Sequence, residues 1–185
     1  RPGRSGHTGW CDKMTAVAER PLTAQDVQEG ALPEGWAIAT VAEAAIINPS
    51  KPTAHELSPD QAVTFVPMAA VSSDSGSIAD RLTRMHADVR KGFTAFRDGD
   101  VIFAKITPCM ENGKCAVADD LENGWGFGST EFHVLRPLAF DAKYLHYFLR
   151  QESFRVAAER EMTGSVGQRR VQASYLAEQP IPIPP

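Results

Sequence analysis

Apolar and polar positions alternate in short runs over most of this chain, and only one stretch near the C-terminus sustains a helical period. Residues 1–31 are polar and broken by Gly and Pro, with at most a short helix over 24–28; they read as a loosely packed lead-in. The domain proper is expected over 32–185. It opens on LPEGW, a turn at Pro33, Glu34 and Gly35 followed by a large aromatic. Thr40 then stands at the N-cap of a short helix, Val41 to Ala45, with Glu43 at the third helical position as a capping box requires. Asn48-Pro49 ends that run, because the residue before proline is driven out of the helical region.

Residues 50–62 read as loop, Val63 to Met68 as a short strand ended by proline, and Ser72 to Ser77 as a second loop. Gly92 to Phe96 alternates, Arg97 to Asp100 supplies a turn, and Val101 to Ile106 is a buried strand with Lys105 as its one charged member. Asn112-Gly113 is a tight-turn dipeptide, and Lys114 to Ala118 returns as the hairpin partner. Gly124 to Gly128 is rich in glycine. Ser129 to Pro137 then alternates Phe132 and Val134 against Glu131 and His133, the pattern of a half-buried strand. Asp141 caps the longest helix, which runs to about Met162 on Tyr144, Leu145, Phe148, Leu149, Phe154, Val156 and Ala157. The glycine-containing break Thr163 to Arg170, a helical turn at Ala173 to Ala177 and the terminal PIPIPP complete the chain. Strands with few helices and no internal repeat predict an α+β domain: a twisted, mostly antiparallel β-sheet with a long helix near the C-terminus.

Composition narrows this little. The 185 residues suit one domain, and 43% hydrophobic with 23% charged residues is ordinary for a globular fold. Three cysteines, Cys11, Cys109 and Cys115, form neither an even set nor a C-x-x-C pair, so no disulfide framework and no metal site are expected, and a reducing cytoplasm fits. No apolar run is long enough to span a membrane, and RPGRSGHTGW lacks a signal-peptide core. The first dozen residues read as a tag or upstream extension, with Met14 as a natural start. The formal charge of −4 argues against a polyanion-binding protein, but its distribution does not. Arg81, Arg84, Arg90, Lys91 and Arg97 stand against Asp88 alone between 81 and 97, whereas Glu19, Asp26, Glu29, Glu34 and Glu43 crowd the start.

Five strings occur together and in order: GDVIFAKITPCMENGK (Gly99 to Lys114), GFGSTEFHVLRP (Gly126 to Pro137), YLHYFL (Tyr144 to Leu149), MTGSVGQRRV (Met162 to Val171) and PIPIPP. With the opening LPEGW, short helix and INP, they resemble one target-recognition domain of a type I restriction-modification specificity subunit, over about 32–185. The resemblance implies a non-catalytic subunit that recognises half of a split DNA target. It implies double-stranded DNA as ligand, and as partners an adenine methyltransferase subunit, a restriction subunit and a second specificity half. It implies no cofactor. Members of that family commonly carry two such domains joined by long helices, and only one is expected here.

Sequence readout requires amide, hydroxyl and guanidinium groups on firmly held loops, with phosphate contacts setting register and base-edge contacts setting specificity. Lys105, Thr107, Asn112 and Lys114 flank the hairpin turn and would suit a backbone clamp; alternatively Asn112 serves only the turn. Thr163, Ser165, Gln168, Arg169 and Arg170, with backbone N–H groups near Gly164 and Gly167, would form a phosphate nest, or else a helix C-cap and surface turn. Two arginines beside glycines favour the DNA contact. The segments 50–61 and 72–91 match none of the family strings, so base contacts are expected from Arg81, Arg84, Arg90 and Lys91. His133 with Glu131 offers an acid-base pair, against which stands a solvent-side pair on a sheet, the reading preferred here. Cys109 and Cys115 read as small packing residues, and Trp36 and Trp125 as anchors.

Two other functions compete. An adenine methyltransferase would need a glycine-rich cofactor loop after a strand and an N-P-P-aromatic motif; Asn48-Pro49-Ser50-Lys51 lacks the second proline and the aromatic. A non-DNA-binding interaction or regulatory module of a methyltransferase complex is compatible with the acidic balance.

Overall fold

The computed structural model describes residue 32 and residues 34–138 and 140–185. The expected lead-in with its short helix, Cys11, Met14 and Pro33 lie outside the described residues. The chain enters through β1 (Ala37–Thr40), passes directly into α1 (Val41–Ala44) and leaves through β2 (Ala45–Ile47). The capping box is present: the Glu43 backbone N–H donates to Thr40 Oγ1, and the Glu43 carboxylate accepts from the Thr40 backbone N–H at 2.7 Å.

Two four-stranded sheets form the body. In the first, β2, β9 (Phe132–Pro137), β6 (Val101–Ala104) and β7 (Cys115–Val117) lie in that order, all antiparallel. In the second the order is β4 (Leu82–Met85), β3 (Ala62–Val66), β8 (Trp125–Gly128) and β5 (Thr94–Arg97), with β3 and β8 parallel and the other pairs antiparallel. A separate ribbon pairs β1 with β10 (Pro180–Ile183).

Three apolar clusters place these layers. One joins Val101, Phe103 and Leu135 of the first sheet to Leu145, Leu149, Phe154 and Leu176, carried by α3 (Ala142–Arg150), α4 (Glu152–Arg160) and α5 (Ala173–Glu178). A second lies between the sheets, with Ile102, Ala116 and Val134 from one and Val66 and Phe96 from the other. The third seals the far face of the second sheet with Leu57 and Val89, the latter from α2 (His86–Val89). A strand covered on both faces needs a continuous apolar run, which is why VIFA is fully buried.

The same double cover corrects the reading of β9: Phe132 to Leu135 are all buried, not alternately exposed. The long helix is likewise two helices, broken at Gln151, whose φ of −53° and ψ of 134° are extended. Asp141 caps the first as expected, its carboxylate accepting from the Lys143 backbone N–H at 2.7 Å.

Candidate nucleic-acid interface

The connection from β6 to β7, residues 105–114, and the segment 163–170 form one unit. Thr107 N–H donates to the Arg169 carbonyl at 3.0 Å, and Val171 N–H to the Lys105 carbonyl at 2.9 Å. Ile106 and Arg170 form an antiparallel bridge. Lys105 N–H in turn reaches the Glu131 carbonyl at 2.9 Å, which fixes the unit to the start of β9.

Within 105–114 the backbone winds in helical turns, with Met110 N–H on the Ile106 carbonyl and Asn112 N–H on that of Pro108. Gly113 accepts the positive φ of 76° that closes this winding. Asn112 is exposed at the turn. Lys114 is half-buried, and its ammonium donates to the carbonyls of Met68 at 3.1 Å and Val71 at 2.6 Å, clipping the hairpin to the turn between β3 and β4. Thr107 Oγ1 donates to Glu111 Oε1 at 2.8 Å.

The segment 163–170 is a small finger. Thr163 and Arg170 exchange backbone hydrogen bonds of 3.0 and 2.8 Å, and Gln168 N–H donates to the Ser165 carbonyl at 2.9 Å across the tip. Gly167, at φ 78°, occupies the turn position that demands it. The base is anchored by charge. The Arg170 guanidinium grips both Glu131 oxygens, at 2.9 and 2.8 Å, and Arg169 lies 3.4 Å from Glu159 and 4.0 Å from Glu111. Arg170 holds the Glu131 carboxyl below its ordinary range. Both arginines are therefore accounted for by carboxylates of the protein itself. The exposed tip is Ser165, Val166, Gly167 and Gln168. Gln172 Nε2 donates to Thr163 Oγ1 at 2.7 Å, bracing the finger from the C-terminal side.

His133 supports the same unit from beneath and is neither a solvent-side residue nor one of an acid-base pair with Glu131. It is 5% exposed, donates through Nε2 to the Val171 carbonyl at 2.9 Å and accepts at Nδ1 from Asn48 Nδ2 at 3.1 Å. Asn48 Oδ1 accepts from the Val134 N–H at 3.0 Å, which fixes the amide's orientation. Burial pushes the His133 imidazole below its ordinary range, so it stays neutral.

The second group of cations lies on the other sheet. Arg81 pairs with Asp119 at 2.7 Å and Asp120 at 3.7 Å. Arg84 is on β4, opposite Val63 on β3. Arg90 follows α2, its carbonyl accepting from Lys51 Nζ at 2.9 Å, and Lys91 is exposed beside it. β4 is an edge strand whose four residues are all exposed, Leu82 and Met85 by 43% and 42%. It lies in the segment that matched no family string, and its strand character was missed because RLTRMH alternates no apolar face.

The structure thus brings together Lys105, Thr107, Thr163, Ser165, Gln168, Arg169 and Arg170, and places Arg81, Arg84, Arg90 and Lys91 elsewhere. Among the described residues no hydrogen bond or ion pair joins the two groups. The sequence reading overlooked Val166 and the anchoring carboxylates Glu111 and Glu159, and set Glu131 beside His133 instead of Arg170; acids far apart along the chain from their partners carry no local signal of pairing. A pocket of about 100 Å³ nearby is lined by Glu111, Glu152, Arg155, Val156 and Glu159, a lining whose acidic excess disfavours phosphate.

No family model matches the chain. Over 171 residues, 90% of its length, it is 37% identical to the EcoEI type I restriction enzyme specificity subunit of Escherichia coli. It is also 37% identical over 167 residues, 89% of its length, to the EcoAI specificity subunit of the same organism. Over nine-tenths of its own length the chain is similar to type I restriction-enzyme specificity subunits. It spans 28% of the length of each of these relatives. The fold agrees: the HsdS subunit of Thermoanaerobacter tengcongensis superposes over 83% of this chain and 39% of its own, with a TM-score of 0.65 at 22% identity. A chain from a structure of type I R-M complex assembly and conformational transition superposes over the same shares, with a TM-score of 0.64 at 22% identity. The mixed fold of strands and helices is shared with these two solved chains.

Proposed function

We propose that residues 32–185 form a DNA target-recognition domain, preceded by a lead-in over 1–31, and that it directs partner enzymes to a half-target without chemistry of its own. The observation that carries this reading is 37% identity over nine-tenths of the chain to two restriction-enzyme specificity subunits. The geometry supports it: a braced finger and a wound hairpin loop present amide, hydroxyl and backbone N–H groups side by side, the equipment of phosphate positioning. The cations of 81–91 lie apart on an exposed edge, where base readout can be separate from positioning. The partners are double-stranded DNA, an adenine methyltransferase subunit, a restriction subunit and a second specificity half, all in the cytoplasm. Among the described residues no helix is long and apolar enough to cross a membrane.

The test is selection from a randomised duplex pool, with and without a methyltransferase subunit, across a salt series. Enrichment of a short motif, with affinity falling as salt rises, is the expected result. Absence of any enriched motif, even with the methyltransferase present, refutes the proposal.

A further inference from the structure

Val166 is the most exposed large hydrophobic residue described, at 101% of its reference area, and it stands at the tip of the finger. An apolar side chain so placed gains nothing from the fold. The chain nevertheless holds its position firmly, through the paired backbone bonds of Thr163 and Arg170, the turn bond from Gln168 to Ser165 and the bidentate grip of Arg170 on Glu131. Ser165 and Gln168, with a hydroxyl and a carboxamide, flank it on either side of the turn.

We infer that Val166 is a specificity-determining residue that packs against the 5-methyl group of a thymine in the major groove. This inference rests on the reading of the chain as a DNA-recognition domain. The chemistry is selective: the thymine methyl is the one apolar group on a base edge in the major groove. Side chains that wedge between base steps in the minor groove are Phe, Leu, Ile, Met or Pro, longer or more rigid than a valine on a turn. A protruding branched aliphatic of two methyl groups suits a methyl contact, not intercalation. The flanking Gln168 amide is the group that pairs with an adenine edge, so the tip as a whole suits a site containing A·T pairs.

The experiment uses the whole chain with a methyltransferase subunit. The enriched duplex is prepared with each thymine replaced singly by deoxyuridine, which removes only the methyl, and is bound by the natural protein and by Val166→Ser. One such replacement is expected to weaken the natural protein about fourfold, the equivalent of burying about one methyl group, at 1.4 kcal/mol per factor of ten. Val166→Ser is expected to bind the two duplexes equally, and Val166→Thr, which keeps one methyl, to fall between. The salt dependence of all three proteins should be the same. If a motif is enriched but no thymine methyl matters more to the natural protein than to Val166→Ser, the inference is overturned while the recognition reading stands. If no motif is enriched at all, both fall together.

Discussion

Asp100 looks in the sequence like an ordinary turn residue, yet its side chain is 1% exposed and carries three donors. Arg136 reaches Asp100 through Nε at 2.7 Å and Nη2 at 2.9 Å, and the Arg97 backbone N–H arrives at 2.8 Å. The pair ties the turn before β6 to β9. Truncating the arginine leaves the carboxylate in the interior without its counter-charge, so Arg136→Ala should cost about 3–5 kcal/mol in urea unfolding. Arg136→Lys should recover only part of that, because an ammonium cannot reproduce the two-point contact. A change below about 1 kcal/mol for Arg136→Ala would show that solvent reaches Asp100 freely.

His133 gives the folded protein a pH dependence of definite sign. Burial lowers its affinity for protons in the fold, and burial does the same to His146, which hydrogen-bonds the Cys115 carbonyl at 3.2 Å. The unfolded chain therefore binds more protons over this range. Stability from both residues is fully present above the unfolded histidine value of about 6.5 and is lost as pH falls from there towards the depressed folded values. Thermal melting between pH 8 and 5 should show the decline, and His133→Gln should flatten it whatever its effect on the midpoint at pH 8. An equally steep decline in the variant would assign the effect to other groups.

Elements were legible where a local signal fixes them. Thr40 with Glu43, Asp141 as N-cap and the β6 to β7 hairpin follow from capping and turn chemistry that acts within a few residues. β8 was not, because WGFG reads only as a glycine-rich stretch; the glycines belong to a strand packed too closely for side chains. A Cβ at Gly126 would collide with the Phe96 ring, and one at Gly128 with the Val66 carbonyl oxygen. The Val66 contact is backbone and cannot swing away, so Gly128→Ala should destabilise by about 1–3 kcal/mol or more, read as a lower urea midpoint. An unchanged midpoint would mean that β3 and β8 separate at no cost. β10 was hidden by its prolines, whose missing N–H groups an edge strand tolerates because its open side has no ladder bonds to lose. The break at Gln151 has no proline or glycine to announce it. It is set by tertiary packing, with the tilted rings of Phe148 and Phe154 at 5.1 Å between centroids across the bend. The site divided in the same way: the polar residues were visible in strings, whereas their pairing with Glu131 just before β9, Glu159 of α4 and Glu111 of the hairpin loop was not.

At the scale of the whole molecule, a formal charge of −4 has to be reconciled with the proposed binding to a polyanion. What matters is where the charge lies: Glu131, Glu159, Asp100 and Asp119 are each engaged by an arginine of the protein, and these pairs cancel locally without changing the total. The same pairing separates two kinds of cation. Arg170 is already neutralised by Glu131, and Arg170→Gln should loosen the finger and weaken DNA binding while leaving the slope of log affinity against log salt unchanged. Arg84, Arg90 and Lys91 stand exposed around β4 and α2, and Arg81 is paired only to surface aspartates. Replacing these four by glutamine should reduce the slope by about 0.9 for each side chain that neutralises a phosphate, and should shorten the enriched motif where a guanidinium reads a base. Salt titrations of both variants on one duplex decide the matter: a slope that drops for Arg170→Gln and holds for the quadruple variant would mean that the finger meets phosphate with free positive charge as well as with its neutral groups, and that the sheet-edge cations meet none.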